Sequence, residues 1–97
     1  MQNIEVRETA ERALRRLLEL RASPSPSIAD VAAVASEVRV PPGSNSTPAN
    51  DARVGAWLAI RKVVRTLEGN NPGTNDLDAF WGSALDLTKI WQQAIDG

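Results

Sequence analysis

The chain contains no cysteine and no histidine. The first absence excludes disulfides, thiolate metal sites and cysteine nucleophiles. The second removes the commonest general base and the commonest metal ligand. Lysine is scarce as well, with nine arginines standing against two lysines. No window approaches the ~18 uninterrupted apolar residues of a membrane span. The opening stretch, Met1 to Glu8, has no apolar signal core. A marked charge excess is also lacking: the net charge of −1 argues against a dedicated nucleic-acid binder, which usually carries a basic surplus.

What remains bounds the protein closely. Ninety-seven residues make one domain, taken here as residues 1–97, large enough for a single core of modest stability. With no signal or membrane segment, a cytoplasmic location is expected. The preference for arginine and the abundance of alanine suggest a GC-rich bacterial or phage genome.

The most strongly patterned segment runs from Thr47 to Gly69. Thr47 can accept from the free N–H groups of a first helical turn, and Pro48 suits the first helical position. Asp51 favours the positive end of the helix dipole. Gly69 is the expected left-handed stop, with Pro72 preventing resumption. At about 100° per residue, Ala56, Trp57, Ile60, Val63, Val64 and Leu67 share a core face. On the opposite side Val54 and Leu58 sit among Arg61, Lys62 and Arg65. Those five residues form a small apolar centre inside a cationic strip, a pattern suited to contact with a partner. The competing reading is a central helix touching neighbours on two sides, its basic side chains snorkelling outward.

Three further helices are expected around it. The first spans Ile4 to Ala22, capped by Asn3, and buries Val6, Ala10, Ala13, Leu14, Leu17, Leu18 and Leu20. Its outer charges fall at pairing distance (Glu8 with Arg12, Glu11 with Arg15, Arg15 with Glu19), so this face should neutralise itself. Ser23-Pro-Ser-Pro-Ser27 breaks the helix, because each proline disfavours helical backbone before it. Ser27, with Asp30 three residues on, then caps a short helix from Ile28 to Val38 that buries Ile28, Val31, Ala32, Ala35 and Val38. Residues 39–46, rich in Pro, Gly, Ser and Asn, read as an exposed, mobile loop. The last helix is expected from Asp76 to Ile95, capped by Thr74 or Asn75, with Leu77, Phe80, Trp81, Ala84, Leu87, Thr88, Trp91 and Ile95 inward. Gly82 falls on its outer face, where a close approach to the backbone could explain it. Asp76, Asp78, Asp86 and Asp96 make this helix acidic, so an antiparallel hairpin should answer much of the basic strip.

No catalytic constellation stands out. A Gly-rich phosphate loop, metal-ligand spacing and a nucleophile elbow are all missing. Asp76 and Asp78, two apart, do not share a face. No enzyme, cofactor or metal site is therefore expected. In size, helical pattern and irregular loops the chain resembles small adaptor or inhibitor proteins of bacteria and phages and, distantly, the death-fold class of helical adaptors; no site residue is carried over.

The reading is an all-α four-helix bundle, three helices long and one short, packed up-and-down or orthogonally. Its function is expected to be that of a non-catalytic protein–protein interaction module, an adaptor or inhibitor. Partner binding is assigned to Val54, Leu58, Arg61, Lys62 and Arg65, with self-association through the same strip as a variant. The alternative is a nucleic-acid accessory protein contacting phosphates through Arg61, Lys62 and Arg65, which the lack of exposed aromatics for base stacking disfavours.

Overall fold

The structure, a computed structural model, describes residues 2–69 and 74–96. Four helices follow one another: α1 (Gln2–Ala22), α2 (Ile28–Val38), α3 (Pro48–Leu67) and α4 (Thr74–Asp96). The all-α four-helix bundle is the fold of this chain. None of the described helices is long and apolar enough to cross a membrane.

Local chemistry accounts for most of the boundaries. Ser27 Oγ accepts from the Asp30 N–H at the start of α2, at 3.4 Å. Thr47 Oγ1 accepts from the Asn50 N–H at the start of α3, at 3.0 Å, with Pro48 opening the helix. Gly69, at φ +84°, ends α3 in the left-handed conformation that glycine adopts without steric penalty. The side chains expected to cap α1 and α4 (Asn3; Thr74 or Asn75), and Pro72, lie outside the described residues. Helices α1 and α4 each begin two residues earlier than the sequence pattern indicates.

Neighbouring helices run antiparallel. Arg16 meets Asp30 while Arg12, earlier in α1, meets Glu37, later in α2. At the next corner the Arg53 guanidinium, near the start of α3, donates to the Val38 and Glu37 carbonyls that end α2. Between α3 and α4, Arg53 lies over Trp91, Gly55 meets Leu87 and Lys62 lies over Phe80. Helix α4 closes the ring on α1, and among the described residues no α1–α3 or α2–α4 diagonal contact forms between backbones. The arrangement is therefore up-down-up-down. The longest dimension, 41 Å against 22 and 19 Å across, fits aligned helices of 20 or more residues at ~1.5 Å rise per residue.

The core combines small residues with two large rings. Ala10, Ala13, Ala52, Ala56, Ala59 and Ala84 are buried and let the helices approach closely, while Trp81 and Trp91 fill the space between. The buried Thr88 hydroxyl donates to the Ala84 carbonyl at 2.6 Å, so its burial leaves no polar group unmet.

Several side chains depart from the expected stripes. Leu18 of α1 and Ile28 of α2 are exposed, whereas Val34 of α2 and Leu85 of α4, not among the expected core residues, are buried. Each misplaced residue lies at the edge of its stripe, where the true axis of burial is rotated by less than one residue's 100°. The loop of residues 39–47 is exposed apart from the half-buried Val40, and side-chain hydrogen bonds cross it. Ser44 Oγ donates to Pro41 O, Ser46 Oγ to the Asp51 carboxylate, and Asn50 Nδ2 to Asn45 O. Gly43 makes its turn at φ +85°.

Candidate partner-binding face on the third helix

Residues Ala52, Ala56, Ala59, Ile60 and Val63 of α3 are buried, which turns the opposite side of the helix outward. Val54 retains 37% and Leu58 46% of their surface, so both are solvent-facing and neither is core. Arg61, Lys62 and Arg65 are exposed beside them. One helical side thus gathers all five residues within roughly 100° of arc.

The charges on this side are held in two different ways. The Arg61 guanidinium lies over the Trp57 indole at 5.0 Å from its centroid, and the Lys62 ammonium over the Phe80 ring at 5.6 Å. Such contacts orient a cation without neutralising it. Among the described residues no carboxylate lies within ion-pair distance of Arg61, Lys62 or Arg65. The described acidic side chains of α4, those of Asp76, Asp78 and Asp86, therefore do not answer the strip. Phe80, Leu87 and Trp91 turn toward α3, and helical geometry carries Asp78 and Asp86 roughly 100° or more around the axis from them, whereas Asp76 shares their side of α4 and still makes no ion pair with the strip.

Helix α1 behaves differently. Arg12 pairs with Glu37 at 3.5 Å, and Arg16 pairs with Asp30 at 3.2 Å and with Glu19 at 3.3 Å. Among the described residues none of the three pairs expected along α1 forms; Arg16–Glu19 is the pair that runs along α1, and two pairs run across to α2. These partners depend on which helix lies alongside, which spacing within α1 does not reveal.

A groove opens between α2 and α3 along one edge of the strip, with a volume of about 360 Å³. Helix α2 contributes Ala32, Ala35 and Ser36, with Arg39 at its C-cap; helix α3 contributes Trp57, Arg61, Val64 and Arg65, with Glu68 at its C-cap. Trp57 and Val64, expected in the core, are only half-buried and form its wall. The position of Trp57 follows from its phase, between buried Ala56 and exposed Leu58. The sequence reading had not included Arg39, Trp57 or the α2 residues in the site. Arg39 could have been found only from the crossing of α2 over α3.

Arg53 plays a structural part at the same corner. Its Nε donates to Val38 O at 2.7 Å and its Nη2 to Glu37 O at 3.2 Å, satisfying carbonyls that the end of α2 leaves unpaired. Burial lowers the Arg53 pKa from its ordinary value, but a guanidinium stays charged in the ordinary pH range. No family model, curated protein or solved structure matches this chain.

Proposed function

We propose that this chain is a non-catalytic protein–protein interaction module, an adaptor or inhibitor that engages its partner through Val54, Leu58, Arg61, Lys62 and Arg65. The observation that supports this reading is the pairing of two exposed aliphatic side chains with cations that no neighbouring carboxylate answers. Isolated exposed aliphatics are ordinary. Set among unanswered charges, in a chain whose own balance is −1, they form a surface whose charge and apolar area both remain available to another molecule. Lacking His and Cys, an enzyme here would depend on carboxylates or lysine in an enclosed pocket. The test is Leu58→Asp, which should abolish capture of the partner while leaving helicity unchanged; melting of the domain would contradict the assignment.

A second reading, phosphate contact by Arg61, Lys62 and Arg65, gains from the half-exposed Trp57, an aromatic beside cations that the sequence reading had placed in the core. It predicts a gel shift that weakens steeply with salt and disappears on charge reversal at Arg61 and Arg65. A salt-independent complex with a protein would count against it.

A further inference from the structure

We propose that the α2–α3 groove seats an acidic segment of the protein partner, one apolar side chain of which lies on the floor between guanidinium-bound carboxylates. This rests on the partner-binding reading and adds the centre of the contact and the sign of the partner's charge. Arg39, at the C-cap of α2, and Arg61 and Arg65 of α3 reach the groove from its two sides, and among the described residues Glu68 is the only carboxylate lining it, a local balance of +2 (three positive, one negative). Among the described residues, none of the three guanidiniums has an ion-pair partner.

The shape suits a side chain better than a strand of nucleic acid. Ala32, Ala35 and Val64 line the groove with methyl groups, and about 360 Å³ is near the lower end of the ~300–1,000 Å³ usual for ligand sites. Arg61 already rests on Trp57, so part of its ordering has occurred before binding. The same contact occupies the ring face that a base would need for stacking. Glu68 at the rim repels a continuous row of phosphates, whereas separate carboxylates can be placed to avoid it.

The experiment is a display selection of random twelve-residue peptides on the intact chain, followed by titration of the enriched peptides. Arg39→Ala and Ser36→Phe are the test variants, since both positions are exposed and line the groove without belonging to the α3 strip. Circular dichroism confirms that each stays folded. The expected result is an enriched pattern of Asp or Glu flanking a Leu, Ile, Phe or Trp, with each variant weakening binding by roughly tenfold. Bound peptide should also shield Trp57 from iodide quenching. The groove assignment is overturned if the peptides carry no acidic pattern or are indifferent to both variants. It is equally overturned if a single-stranded oligonucleotide occupies the groove in their place, or if sedimentation shows a second copy of the chain there. Peptides that ignore both variants but are lost with Leu58→Asp would leave the interaction reading standing and remove only the groove; peptides that ignore all three variants would remove both.

Discussion

Gly82 and Gly55 both occupy helix interiors, yet only one has free room for a methyl group. A Cβ built on Gly82 meets nothing within 4 Å, while one on Gly55 comes within 3.1 Å of Leu87 Cδ1. Gly82→Ala should therefore stabilise the fold by about 1 kcal/mol, the helix-propensity difference. Gly55→Ala should gain less, because Leu87 must shift; urea unfolding of the two variants checks the order. The close approach suspected at Gly82 occurs instead at Gly55, where α4 packs on α3. Arg53→Ala should destabilise by ~1.5–3 kcal/mol, the range for hydrogen bonds to charged groups, and clearly more than Arg61→Ala. Denaturant titration of both variants measures the difference. At this scale the sequence was partly legible. Ala10, Leu17, Ile60 and Trp91 are buried as their phase required, but at the stripe edges Leu18 of α1 is exposed and Leu85 of α4 is buried. Alanine weakens the signal further, since a buried and an exposed alanine look alike in a sequence.

Among the elements, α3 was the most readable because its start and stop chemistry is complete. Thr47→Ala should cost about 1 kcal/mol, the usual loss of a helix cap, in the same unfolding measurement. Helix α2 has only 11 residues, below the ~12–15 at which isolated helices become even marginal in water. It persists through the Ser27 cap, the Arg53 contacts at its end and the ion pairs of Asp30 and Glu37. Amide exchange should therefore be faster along α2 than along the buried side of α3. Exchange at equal rates would contradict that account. The ties that hold α2 were mostly invisible beforehand, because Arg53 and Arg12 reach it from other helices.

At the scale of the whole molecule, antiparallel neighbours place small residues inside and leave charge distributed unevenly outside. The α1–α2 side matches its ions, and the outer side of α3 does not. The all-α bundle, its helix count and the α3 strip followed from periodicity, caps and breakers. The groove did not, because it exists only where Arg39, at the end of α2, comes beside Arg61 and Arg65 of α3. Among the described residues the acids of α4 leave the strip unanswered: Phe80, Leu87 and Trp91 take the contact with α3 and turn Asp78 and Asp86 away, and Asp76, on their side of the helix, forms no ion pair with it.

The central claim is that the outer side of α3 is a working surface and not a second face of the core. Capture of the partner from the native host by the wild-type chain and by Leu58→Asp, with unfolding followed on both, tests this most directly. The account predicts a partner retained by the wild type and lost by the variant, with nearly unchanged unfolding free energy. Equal capture by both chains, or collapse of the helical fold in the variant, would contradict it.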